Sequence, residues 1–338
     1  MTDLVSRNRW FGVSEIKRAE GDFTTEAARF VSRQLELAML LEVSAYPKPG
    51  NVHRTRNYSE TRFEHFLASA VAARTHFERA AEIGILASRR QISLKEAHVG
   101  RTIRDAMIDI MNSHRGGNTS LGTVILLVPI AVAAGMTMAW NPRHLSLAGL
   151  RRNLKQVLRS TTAADAVALY EALAHVRPGG LGHVPELDAK DRASRRKVLQ
   201  LGFNLRDIAR LVAHRDSVCM ELVSDYKTSF EVGYPYLRRE LARTGDLNEA
   251  TVNTYLKILS EIPDTLIARK TSLRRARWVT TRARRVLALG GLSTRRGMKE
   301  IEILDNKLRT QPNLLNPGAT ADMTASVLAL AMLSGYRP

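Results

Sequence analysis

Apolar residues recur at intervals of three and four along most of the chain, as in Phe30, Val31, Leu35, Ala38 and Met39, then Phe63, Phe66, Leu67, Ala70 and Val71. That spacing is the buried stripe of an amphipathic helix, and the alternation expected of strands is nearly absent. Helix-start signals recur with it: Ser93-x-x-Glu96, Thr162-x-x-Asp165 and Asp246-x-x-Glu249 each precede an apolar stripe in the manner of a capping box. The pattern predicts helices near 22–44, 60–89, 93–112, 119–138, 145–158, 162–174, 190–212, 214–243, 247–260, 272–289, 294–309 and 319–334. The predicted fold is all-α, a single multi-helix globular bundle with buried central helices. Residues 1–21 read as a flexible N-terminal extension, and 22–338 as one all-helical catalytic domain. The loop Arg177-Pro-Gly-Gly-Leu-Gly-His183 is not followed by a polar linker, so it does not read as a boundary.

One segment tests the bundle reading. Gly116–Asn141 carries no charge, and Leu121–Trp140 is long enough to span a bilayer. Its solitary occurrence, its polar Gly117-Asn118-Thr119-Ser120 entry and its interior Pro129 favour a buried central helix over a membrane span. Composition fits an ordinary globular chain, with 44% hydrophobic and 25% charged residues. The net charge of +18 changes the picture more, because it draws acidic partners: nucleic acid, an anionic membrane or phosphorylated small molecules. The arginine clusters, such as Arg274-Arg275 through Arg285, read as solvated helix faces with i,i+4 partners. A single cysteine, Cys219, excludes an intrachain disulfide and fits a reducing, cytoplasmic setting. The histidines form no zinc motif, and no Walker loop, Rossmann fingerprint or serine-nucleophile signature is present.

Three loops place small residues directly before a helix, where backbone amides lack intrahelical acceptors and can bind phosphate. In Pro47-Lys48-Pro49-Gly50-Asn51-Val52-His53, the prolines stiffen the chain, Gly50 allows close approach and Lys48 offers a charge. The second, Gly116 to Gly122, leads into the most apolar helix; Asn118 or Thr119 there either caps the helix or caps it and touches a ligand. Gly122 in the first turn costs about 1 kcal/mol against alanine, which implies a neighbouring helix or ligand pressed against it. The third is Asn316-Pro317-Gly318-Ala319-Thr320-Ala321-Asp322, with Thr320 as a natural N-cap and Asp322 in the first turn. Asp322 is there either for the helix dipole or as a divalent-cation ligand. Glu42, in the apolar run Met39–Ala45, needs a partner. Asp216, Glu221 and Asp225 are spaced so that several could share one helix face.

The ordered set Glu42, Pro47-Lys-Pro-Gly-Asn-Val52, Phe66-Leu-Ala-Ser-Ala70, Gly117-Asn-Thr119, Gly122, Asp216 and Asn316-Pro-Gly…Ala321-Asp322 resembles the triphosphoribosyl-dephospho-CoA synthase family, in an archaeal-type branch. The resemblance spans roughly residues 35 to 334. It implies an all-helical transferase that moves the triphosphoribosyl group of ATP to the ribose 2′-hydroxyl of dephospho-CoA, releasing adenine. It also implies Mg²⁺ on the triphosphate. The resemblance points to Glu42, Asp216 and Asp322 as catalytic residues, with Glu42 and Asp322 as metal ligands. Lys48, Gly50, Asn51, His53, Gly117, Asn118, Thr119, Asn316 and Gly318 are the implied phosphate- or nucleotide-binding set. The chain has Ser120-Leu121 where His-Lys is usual, which motivates a second reading: a related nucleotide or phosphoribosyl enzyme of another cofactor pathway, with another phosphorylated acceptor. A basic helical nucleic-acid-binding protein is the third reading, and a homodimer is compatible with all of them.

Overall fold

The computed structural model describes residues 13–140, 145–181, 187–311 and 313–338, with side chains from Thr24 onward. Residues 1–12 of the expected extension and residues 182–186 of the Arg177–Glu186 loop lie outside the described residues. Among those described there are fifteen α-helices and no strand. Helix α1 runs Val13–Ser44, starting earlier than the apolar stripe indicated, and α2 spans Phe63–Ser88. These two pack on each other and on α4, Leu121–Met138, the helix whose composition would suit a membrane. In this fold 83% of α4 is buried inside the protein, and its neighbours supply the apolar surroundings that its sequence demands. Helices α2 and α4 touch backbone to backbone: a Cβ on Gly84 would lie 2.0 Å from the Val132 carbonyl oxygen, and one on Gly135 equally close to that of Ala81. Helices α3 (Val99–Ser113), α5 (Leu147–Ser160) and α6 (Ala163–Val176) complete this side of the bundle.

The expected helix 190–212 is two: α7 (Arg192–Leu201) ends at Gly202 in the left-handed region, and Asn204 caps α8 (Leu205–Val212). The expected helix 214–243 is also broken. Helix α9 (Ser217–Val223) stops where Asp225 and Tyr226 take positive φ, and one π-turn, Thr228–Gly233, leads into α10 (Tyr234–Thr244). Glu221 is the physical reason. It is fully buried, not on a solvated face, and accepts hydrogen bonds from the amides of Thr228 and Ser229 and the Ser229 hydroxyl.

Helices α11 (Leu247–Glu261), α12 (Thr265–Lys270), α13 (Leu273–Ala288) and α14 (Arg295–Leu308) enclose a second apolar cluster around Tyr255, Ile267 and Val279. Helix α15 (Gly318–Leu333) runs through both cores, with Ala321 in the second and Met323 to Leu333 in the first. Most α13 arginines are exposed, as their spacing implied, and Arg282 lies over the Trp278 ring one turn away, but three others have partners on other segments. Arg285 pairs with Glu300, Arg284 donates to the Ser260 carbonyl and Arg275 to Gln311.

Candidate active site

Where the two cores meet, an open cleft is bounded by α1, the start of α4, α12 and the start of α15. Glu42, Asn51, Asn118, Thr119, Lys270, Asn316, Gly318 and Asp322 all line it. The three loops singled out by their glycines and prolines therefore converge, and Thr123 donates its hydroxyl at 2.6 Å to Asp322 Oδ1, 199 residues away. Oδ2 of Asp322 faces Gly122. A Cβ at that position would lie 2.1 Å from it, so glycine is the residue that lets the carboxylate approach the α4 backbone. Burial raises the Asp322 carboxyl to about 7; the Thr123 hydroxyl opposes this, and Glu42, Asp264 and Asp216 reinforce it.

Glu42 finds the partner its surroundings require in Lys48, which is wholly buried. Burial pushes the Glu42 carboxyl up and the Lys48 ammonium down, and their mutual attraction opposes both shifts. The expected role of Lys48 as a phosphate ligand is corrected accordingly: it stands behind Glu42 and does not line the cleft. Gly50 is corrected for a similar reason. Its amide donates to Asp305 Oδ1 at 2.8 Å, and its Cα packs on Leu308 and Leu315. The whole Pro-Lys-Pro-Gly turn is pinned, with Tyr255 donating to the Pro49 carbonyl and Tyr58 to that of Gly50. His53 is buried beside it, and burial lowers its pKa to about 4, so it is neutral and offers no cation.

Of the two helix starts, α4 is the better anion site. Asn118 Oδ1 accepts the Leu121 amide, so the capping role is real, and the first-turn amides beyond it keep no intrahelical acceptor. Gly117 takes φ +67° at the preceding turn. Helix α15 begins at Gly318, so Thr320 lies inside it and is not the N-cap, and Asp322 lies beyond the first turn. Asp264 takes both the Thr320 amide and its hydroxyl at 2.8 Å, and the Gly318 amide is bonded to the Asn316 carbonyl. Gly318 lines the cleft with its amide turned to that carbonyl. Asn316 is held at both ends, accepting from Asn51 and donating to Asn313.

Several site residues carried no sequence signal of their own. Lys270 is the cation lining the cleft, anchored to the Asn313 carbonyl at 2.9 Å and shifted down in pKa by burial. Ser69, inside the Phe66–Ala70 motif, fixes Thr119. The Gly116 amide donates to His114 Nδ1, so Nε2 carries the proton and donates to Ser69 Oγ, which also meets the Thr119 hydroxyl at 2.7 Å. His65 stacks on His114 with ring centroids 5.2 Å apart.

Asp216 is not with Glu42. It caps α9, pairs with Arg269 and lines a second, larger cavity. The two cavities share one wall, made of Leu121, Gly122, Leu266 and Asp322.

Comparison with known proteins agrees with this architecture. The family model described as ATP:dephospho-CoA triphosphoribosyl transferase matches residues 28–338. A 2-(5''-triphosphoribosyl)-3'-dephosphocoenzyme-A synthase of Escherichia fergusonii is 22% identical over 333 residues, covering 96% of this chain and 95% of that protein. A crystal structure from Archaeoglobus fulgidus, carrying the name triphosphoribosyl-dephospho-CoA synthase, has the same all-α fold, with a TM-score of 0.57 and 24% identity over 80% of this chain and 100% of that one. With the match running from α1 to the last residue, the chain belongs to the ATP:dephospho-CoA triphosphoribosyl transferase family.

Proposed function

We propose that this chain transfers the triphosphoribosyl group of ATP to the ribose 2′-hydroxyl of dephospho-CoA, with the reacting carbon held against Asp322. The observation that carries the site assignment is the position of Asp322 in the one wall that a polar cleft and a mainly apolar cavity have in common. A transfer between two large substrates needs such a meeting point.

In the reaction the acceptor oxygen forms a bond to C1″ of the ATP ribose, the C1″–N9 bond breaks, and its electron pair leaves with adenine. The hydroxyl proton goes to Asp322, which ionises again by passing a proton to the departing base, so that neutral adenine leaves. A carboxyl at about 7 is present as base near neutral pH and still retains proton affinity, the balance that favours general-base catalysis. The triphosphate belongs in the polar cleft, on the amides at the start of α4, the Thr119 hydroxyl and Lys270. Thr119 is held ready by Ser69, so little reordering accompanies binding.

Two carboxylates facing that cleft would repel a triphosphate, and a divalent cation offsets this. Mg²⁺ is usually held by one or two carboxylates together with phosphate oxygens. Glu42 fits that mode through Oε2, since Oε1 is engaged by Lys48 and Oε2 has no partner among the described residues. No group of three or more metal-ligating side chains occurs among the described residues, in keeping with a cation that arrives with its nucleotide. Bound there, Mg²⁺ would neutralise triphosphate charge, and Asp322 is left free for the proton. Family membership also favours this reading over nucleic-acid binding.

Calorimetric titration with ATP tests the cleft assignment. ATP affinity is expected to fall by roughly tenfold or more when Mg²⁺ is chelated, and Glu42→Gln is expected to remove most of that difference. Equal affinity with and without Mg²⁺ in the wild-type chain would count against the assignment.

A further inference from the structure

The larger cavity is the least explained space in the molecule. Ile125, Leu169, Leu173, Ile208 and Val218 supply its walls from four helices, and none of these can hold a phosphate. Its charged groups do not change that character. Arg269 pairs with Asp216, and the described lining holds two arginines, Arg215 and Arg269, against three aspartates, Asp188, Asp216 and Asp322, so these residues carry no excess of positive charge to match a polyanion. Yet it opens against Asp322 and Gly122, directly across the wall from the cleft that suits the triphosphate.

We propose that this apolar chamber is a purine subsite, taking an adenine ring while the triphosphate lies in the polar cleft. The inference rests on the transferase reading and deepens it. Both substrates of that reaction carry adenine on a ribose that takes part in the chemistry. In ATP the base is bonded to the reacting carbon, and in dephospho-CoA it is on the ribose whose hydroxyl attacks. Adenine is thus the group that must lie next to Asp322 on the side away from the phosphates. The diphosphate and pantetheine arm of the acceptor is several bonds further off. A flat, weakly polar ring also suits walls of leucine, isoleucine and valine, and pockets of this kind are lined mainly by apolar side chains with few polar groups.

The test uses the full chain, with adenine and inorganic tripolyphosphate as separate probes in calorimetric titrations. Val212 is half-buried and lines the chamber without touching the polar cleft, so Val212→Trp fills the space from its edge, and Leu173→Trp does so from α6. Wild-type protein is expected to bind both probes at once. Each tryptophan variant should weaken adenine by roughly tenfold or more while holding tripolyphosphate affinity within about twofold. Retained tripolyphosphate binding shows that the variant is folded. Competition of adenine with ATP would identify the donor base as the occupant, and competition with dephospho-CoA the acceptor base; either supports the subsite. Failure of wild-type protein to bind adenine, or adenine binding unchanged in both variants, would overturn it. Turnover separates this from the underlying reading: adenine binding that the variants abolish, with no transfer in the wild type, sinks the transferase and keeps the chamber. Transfer with unaltered adenine binding in both variants does the reverse.

Discussion

Asp322→Asn is expected to lower the turnover of adenine release by about 10²–10⁴-fold, the usual contribution of a positioned general base. Asparagine fills the same space beside Gly122 and can still accept the Thr123 hydroxyl, so the loss isolates the proton acceptor from the packing. The wild-type rate should rise with pH through about 7, where the carboxyl ionises, and the variant should lack that limb. Stability moves the other way. An ordinary aspartate ionises near 3.8, so between there and about 7 the folded protein binds more protons than the unfolded chain. The stability this group contributes is complete below the lower value and lost as pH rises through the upper one. Removing the ionisable group should therefore leave the thermal midpoint at pH 8 equal to wild type or higher. A variant that is inactive and clearly less stable at pH 8 would mark Asp322 as a structural residue.

Lys48→Met is expected to cost stability on the scale of breaking a buried ion pair, about 3–5 kcal/mol. Lys48 has no exposed surface and Glu42 very little, so the lone carboxylate left behind has only its narrow opening to the cleft through which water can receive its charge. Protonation of Glu42 is its main escape, and the loss should therefore shrink as pH is lowered. Adding Glu42→Gln to Lys48→Met should restore part of the stability without restoring activity, because the pair is coupled and its effects are not additive. Denaturant midpoints of the two single variants and the double variant measure this coupling. Additive losses would show that the two side chains do not depend on each other.

Much of the fold is readable from local pattern because helices are local. The three-and-four spacing places α1, α2 and α4 to α6, and Thr162 and Asp246 cap α6 and α11 where their motifs indicate, whereas the Ser93 box caps a separate 3₁₀ turn, Leu94–Ala97, and α3 begins only at Val99. What misled was also local in origin. The stripes through 190–212 and 214–243 continue across Gly202 and Asp225, but the helices break there because Asn204 and the buried Glu221 take backbone amides that a continuous helix would not offer. In the site, Gly122 was legible as a cost needing a neighbour, and that neighbour is Asp322. Lys48 was not legible as a buried residue, since a lysine between two prolines looks like a surface turn until Glu42 is folded over it. Asp305 and Lys270 were hidden for a different reason. One aspartate among 33 acidic residues and one lysine among 51 basic ones acquire meaning only through tertiary contacts, such as that of Asp305 with Gly50, 255 residues away.

The most direct test of the central claim is mass spectrometry and chromatography of a reaction holding the purified chain, ATP, dephospho-CoA and Mg²⁺. Transfer predicts free adenine in equal amount to a dephospho-CoA species heavier by one triphosphoribosyl group, and neither product when either substrate is left out. Adenine without the heavier product, or bound ATP that is never cleaved in the presence of dephospho-CoA, would contradict it.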